Sequence, residues 1–228
     1  MSDGAVWQIV SLSLLVGGVA TLAALPVAFA LAWLLARGRF PGKVVLDAAV
    51  HLPLVLPPVV TGWLLLLAFG PNGPAGRVLA DLGTGVLFRW TGAAIAAGVM
   101  ALPLMVRAIR LSIEAVDRRL EQASRTLGAG RWQTFVRITL PLSLPGVLAG
   151  AVLGFARSIG EFGATITFVS NVPGETQTLP LAIYAALQRP GGEAMVWRLA
   201  AVSVALSLAA LVASELLARR AGRGVHVL

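Results

Sequence analysis

Five apolar runs, each long enough to cross a lipid bilayer, constrain this chain more than any other feature. They lie at about 9–36, 48–69, 91–109, 144–169 and 197–218. A spanning helix needs about 20 predominantly apolar residues. In lipid every backbone polar group must be satisfied within the protein, so such runs read as helices. The fold class is therefore an all-α polytopic membrane protein, with 9–218 as one transmembrane domain. Only 12% of the residues are charged and 57% are hydrophobic, with a mean hydropathy of +0.86. A soluble domain carries about 25% charge, so this chain cannot cover a water-facing surface and membrane lipid is its expected solvent.

The spans are not uniform. The first is long enough to tilt, or to hide a further helix that would raise the total to six. Met1–Gln8 lacks a basic leader, so this run reads as a retained helix. Pro53, Pro57 and Pro58 predict a kink or a non-helical piece in the second run, and Pro103 lies inside the third. Gly70-Pro71-Asn72-Gly73-Pro74, Asn171-Val172-Pro173-Gly174 and Gln188-Arg189-Pro190-Gly191-Gly192 are turns. Leu179–Leu187, between the last two, is apolar enough for a short re-entrant or interfacial helix.

Charge sets the orientation. Of the 18 basic residues, thirteen fall on one side of the expected membrane: Arg37, Arg39, Lys43, Arg107, Arg110, Arg118, Arg119, Arg125, Arg131, Arg137, Arg219, Arg220 and Arg223. Arg77, Arg89, Arg189 and Arg198 fall on the other, and Arg157 lies within the fourth span. The positive-inside rule places the thirteen in the cytoplasm, the N-terminus outside and the C-terminus inside. The net charge of +8 thus reports topology. No aromatic platform on a basic face suggests nucleic acid.

Enzymatic readings find little support. The chain has no cysteine, and its two histidines, His51 and His226, sit at a span boundary and in the tail. A haem or quinone anchor would show paired membrane histidines, and a membrane protease would show a nucleophile–base or metal constellation. Gly38-Arg39-Phe40-Pro41-Gly42-Lys43-Val44 resembles a P-loop only superficially. Its glycines are too close, and Val44 stands where a hydroxyl should bind magnesium.

Two segments carry chemistry. The first is the polar stretch between spans three and four, residues 111–143. Asp117 can cap a helix, and Leu120, Ala123 or Ser124, and Leu127 recur at helical spacing. Gly128 and Gly130 interrupt it, and Trp132, Phe135 and Val136 form a second apolar cluster. The pattern predicts short helix, glycine turn, short helix. Such an element either rests on lipid headgroups or docks on a protein partner. The second segment is span four. Gly146, Gly150 and Gly154 form a small-residue stripe for close helix packing, within one subunit or between two. Arg157 and Glu161 lie one turn apart, with Arg157 roughly 20 Å into the span from Leu144. An isolated arginine there costs about 3 kcal/mol or more. Glu161 at i+4 is a ready partner. The pair either orients the helix or places Arg157 on a water-filled path for an anion.

Glu121-Gln122-Ala123, Gly128 and Ile138-Thr139-Leu140-Pro141 resemble the loop of ABC importer permeases that reads Glu-Ala-Ala, then Gly, then Ile-x-Leu-Pro. Gln122 replaces the middle alanine, and the gap from Ala123 to Gly128 is one residue longer than in the strictest pattern. The nine residues between Gly128 and Ile138 agree with it. The resemblance implies a type I ABC importer permease fold. It also implies that Glu121, Ala123, Gly128, Ile138, Leu140 and Pro141 belong to a coupling helix docked on a separate ATPase, with Glu121 facing a basic group on that partner.

Gly154-Phe155-Ala156-Arg157-Ser158-Ile159-Gly160-Glu161-Phe162-Gly163-Ala164-Thr165-Ile166 is similar to the signature of oxyanion permeases, and Thr167–Pro180 and Pro190-Gly191-Gly192-Glu193 are closer to the molybdate branch than to the sulfate branch. What this resemblance implies is a homodimeric permease in the bacterial inner membrane, moving molybdate, and tungstate with it, by alternating access. Two ATPase subunits would bind at the cytoplasmic face and an oxyanion-binding protein outside. ATP and magnesium would sit on the ATPase, leaving this chain no cofactor, no metal and no catalytic residue. A sulfate or thiosulfate permease is the alternative cargo reading. A stand-alone channel or secondary transporter is the alternative class, and it would need no docking loop.

Overall fold

A computed structural model describes residues 3–225, with side chains described for 4–210 and 212. His226 and the side chains of Arg219, Arg220 and Arg223 lie outside the described residues. The helices are α1 (Asp3–Arg37), α2 (Lys43–Val55), α3 (Pro58–Phe69), α4 (Pro74–Asp81), α5 (Trp90–Ala115), α6 (Arg118–Thr126), α7 (Arg131–Thr134), α8 (Leu140–Ile159), α9 (Gly163–Val169), α10 (Leu179–Leu187) and α11 (Glu193–Val225). A π-helical turn, Phe135–Thr139, joins α7 to α8.

Among the described residues four helices are long and apolar enough to cross a membrane, or five where the bent pair α2–α3 is counted as one span. α1 runs unbroken through Pro26, so no additional helix is hidden in the first run. The second run turns through 115° between α2 and α3. Leu56 and Pro57 are extended there, with ψ of 141° and 133°. A residue before proline disfavours the helical region, and Pro57 and Pro58 offer no N–H to continue the ladder. Pro58 instead opens α3 at a position where a missing N–H costs nothing.

The fourth run departs from a single span over 144–169. Its helix is continuous from Arg131, through the π turn, to Ile159, a length of 29 residues. It then breaks at Gly160–Phe162 and resumes as α9. The second short helix expected in the cytoplasmic loop is therefore the foot of span four, not a separate element. The two breaks nest against each other. A Cβ on Gly163 would lie 2.7 Å from Pro58 Cβ, and one on Gly62 2.5 Å from the Ala164 carbonyl oxygen. Only glycine permits so close a backbone approach.

α5 is the central span. Ala93, Ala96, Ala97 and Ala101 are buried, and these small residues let α1 and α8 approach its axis. Two apolar clusters stack along it. One is built around Val16, Met100 and Phe168, the other around Leu35, Met105 and Ile109. A third joins α1, α10 and α11 through Ile9, Leu179 and Leu199. There the Ser13 hydroxyl accepts the Leu179 N–H at 2.8 Å, fastening the start of α10 to α1.

Candidate functional site

The polar loop folds as its capping chemistry dictates. The Asp117 carboxylate accepts the Arg119 N–H at 2.8 Å and starts α6. Gly128, at φ +86°, ends it in the left-handed region open to glycine. The chain then reverses into α7. The Ser124 and Thr134 hydroxyls stand 3.2 Å apart across this hairpin. Phe135 packs edge-on against Trp33 of α1, with ring centroids 4.7 Å apart, and contacts Phe29 and Trp132.

At the centre is a joint that no local sequence pattern announces. Arg37, the last residue of α1, uses one terminal nitrogen for three acceptors. These are the carbonyls of Ile113 and Val116 at the end of α5, at 3.1 and 3.3 Å, and the Glu121 carboxylate at 3.0 Å. The same carboxylate oxygen accepts the Thr139 hydroxyl at 2.8 Å. Within this chain Glu121 therefore holds Arg37 and Thr139 on one carboxylate oxygen. Gln122 and Ala123 are exposed on α6, while Ile138, Leu140 and Pro141 lie at the π turn and the first residues of α8. What α6 offers outward is Leu120, Leu127 and, from α7, Trp132, the last two 88% and 73% exposed.

Beside the joint, Asp47 of α2 receives both its oxygens' contacts from Arg110 of α5 at 3.1 Å, and Arg110 also binds Glu114 at 2.8 Å. His51 Nδ1 lies 3.2 Å from Asp47. These contacts fix α2 to the central helix α5.

In span four the glycine stripe faces α5 of the same subunit. Cβ atoms would meet Met105 Sδ at 2.6 Å from Gly154 and Ile109 Cγ1 at 3.0 Å from Gly150, and one on Gly146 would overlap Ser112. Arg157 and Glu161 form an ion pair of 2.6 Å. Glu161 is 2% exposed, and its other oxygen accepts the Ala164 N–H at 2.8 Å, capping α9. The Arg157 side chain keeps 26% of its surface. The pair therefore bridges the break between α8 and α9, with its cation still accessible. A cavity of about 380 Å³ lies at the opposite end of α1 from Arg37, lined by Gln8, Gln177 and Arg189.

Comparison with known proteins gives a consistent picture. The family described as binding-protein-dependent transport system inner membrane component matches residues 24–223. The chain is 59% identical over 222 residues to the molybdenum transport system permease protein ModB of Escherichia coli (strain K12), covering 95% of this chain and 97% of that protein. It is 57% identical to ModB of Haemophilus influenzae, over 92% of this chain and 93% of that one. The sulfate transport system permease protein CysT of Escherichia coli (strain K12) is 39% identical, over 86% of this chain and 70% of CysT. Among solved structures, a bacterial ABC transporter involved in import of the acidic polysaccharide alginate matches with a TM-score of 0.76 at 18% identity, over 96% of this chain and 80% of that one. The inward-facing MetNI methionine ABC transporter matches with 0.68 at 17% identity, over 97% and 99%.

Proposed function

The chain belongs to the family of binding-protein-dependent transport system inner membrane components, and from that premise we propose that it is the permease subunit of an ATP-driven importer whose cargo is molybdate. It is a multi-pass inner membrane transport subunit of the type I ABC importer fold. The observation that carries the cargo is the identity of 59% across 95% of the chain to a molybdenum permease, against 39% to a sulfate permease. Tungstate, of the same charge and shape, would share the route.

In the working assembly two copies of the chain enclose the path. Two ATPase subunits, which hold ATP and magnesium, dock on the loop from Asp117 to Pro141, and an oxyanion-binding protein delivers cargo at the far side. The excess of arginine around that loop supports its placement in the cytoplasm, with the N-terminus outside. The exposed Leu120, Leu127 and Trp132 supply an apolar docking face. Displacement of α6 passes through Glu121 to Arg37 and Thr139, and so to the ends of α1, α5 and α8 together. That geometry suits rigid rocking of each half between inward and outward access. Arg157, half neutralised by Glu161, offers a passing dianion a contact weak enough to leave.

The test is reconstitution with the ATPase and binding protein in vesicles, reading molybdate accumulation. Uptake that requires ATP and resists excess sulfate is expected. Uptake without ATP would indicate a channel or secondary transporter, and full competition by sulfate would move the chain to the sulfate branch.

A further inference from the structure

The cationic side of α6 faces a cavity beside the Arg37–Glu121–Thr139 joint, on the opposite face from its exposed leucines. Arg118 and Arg125 are seven residues apart, about two helical turns, so they share one face with Gln122 between them. Leu120 and Leu127 lie about half a turn round, on the opposite face. The arginine face closes on a cavity of about 340 Å³ whose other walls are Trp33 and Arg37 of α1 and Arg131 and Phe135 of the α7 hairpin. Four arginines and one carboxylate therefore line a single space. Glu121 is taken by Arg37. Among the described residues no carboxylate lies within ion-pairing distance of Arg118, Arg125 or Arg131. Arg37 Nε, buried at the wall, has no hydrogen-bond partner. Three cations without a carboxylate partner, lining one space, are what a phosphate-type oxyanion neutralises, and the guanidinium fork matches its geometry.

We infer that this cavity is a binding site for a phosphate group, filled from an anionic phospholipid headgroup of the adjoining leaflet or from free inorganic phosphate. Its position favours the headgroup. Trp33, an interfacial residue type, forms one wall at the end of α1, and basic pockets between spans at the cytoplasmic side are where such headgroups lodge. An acidic patch on the ATPase is the competing occupant. The exposed leucine face points the other way and already provides for that partner. The inference rests on the loop lying at the membrane face. The phosphate arm below does not depend on orientation, so the two can fail separately.

The complete permease–ATPase complex is purified in detergent, and retained phospholipid is counted by native mass spectrometry. A delipidated sample is titrated with inorganic phosphate by calorimetry. The variants are Arg125→Gln, Arg131→Gln and the pair together, all at exposed side chains, with Leu127→Ser as the control on the other face. Wild type should retain phosphatidylglycerol in preference to phosphatidylcholine. Each arginine removed should weaken binding about tenfold, and Leu127→Ser should leave it unchanged while loosening the ATPase. Phosphate binding without lipid retention assigns the free ion as the source. The site is overturned if wild type binds neither probe or if the double variant binds both as wild type does. It is equally overturned if the arginine variants lose the ATPase while lipid and phosphate binding stay intact, which would make them a protein contact.

Discussion

Glu161 uses each carboxylate oxygen on a different neighbour, so removing one charge of the Arg157–Glu161 pair and removing both should have different effects. Arg157→Gln leaves a carboxylate that is 2% exposed with only a backbone donor. Breaking a buried pair from one side costs about 3–5 kcal/mol, so the detergent-solubilised complex should melt lower. Arg157→Gln combined with Glu161→Gln removes both charges, and a neutral amide oxygen can still accept the Ala164 N–H. The double variant should recover most of the lost stability, as measured by thermal unfolding. We expect it to assemble with the ATPase yet fail to accumulate molybdate. Recovery of uptake together with stability would reduce Arg157 to a structural cation. The spacing of this pair was visible in the sequence because the two residues are four apart within one apolar run. Its second duty, capping α9, was not, because the break at Gly160–Phe162 looks like an uninterrupted apolar run.

At the scale of elements, the glycine stripe ranks its own substitutions, with Gly160, just past the end of α8, as the control. Gly160→Ala finds its nearest neighbour at 3.8 Å and should be neutral. Gly150→Ala meets Ile109 at 3.0 Å and asks for a small shift. Gly146→Ala and Gly154→Ala press into Ser112 and Met105, and overpacking of this kind costs about 1–3 kcal/mol. The yield of monodisperse complex on size-exclusion chromatography should fall in that order. The stripe itself was legible from its four-residue period. Its partner was not, since periodicity reports which face is small and not what lies against it. The same limit hid the joint at Arg37. Arg37 and Glu121 are 84 residues apart, and from sequence alone Arg37 counted only as one more cytoplasmic charge. Glu121→Gln weakens that pair while leaving α6 capped by Asp117. It should reduce molybdate moved per ATP hydrolysed more than it reduces ATPase binding, a ratio measurable in proteoliposomes. An unchanged ratio would remove the joint from the transmission route.

For the whole molecule, the all-helical membrane class and the polar loop followed from hydropathy, because lipid allows so few alternatives. Proline chemistry located the bend in the second run, though not its angle of 115°. The nesting of that bend against the break in the fourth run escaped, since each is a long-range consequence of the other. Handedness in the membrane can be checked directly. Cysteine placed at Gln8 should react with an impermeant thiol reagent from outside intact cells, and cysteine at Gln122 only after permeabilisation. The reverse pattern would invert the proposed topology and with it the site of energy input.

The unbroken helix from Arg131 to Ile159 makes the two ends of this machine a matter of phase. At 1.5 Å per residue it is a stiff rod about 43 Å long, with its foot at the α6–α7 hairpin and its head at the Arg157–Glu161 bridge. A rod transmits rotation as faithfully as push. Inserting one alanine between Val147 and Leu153 would turn the head about 100° relative to the foot while leaving composition and hydropathy almost untouched. Four alanines would bring it back to within about 40°. Uptake that vanishes with one added residue and partly returns with four would show that angular register along this rod, and not merely its presence, is what connects the hairpin to the passage.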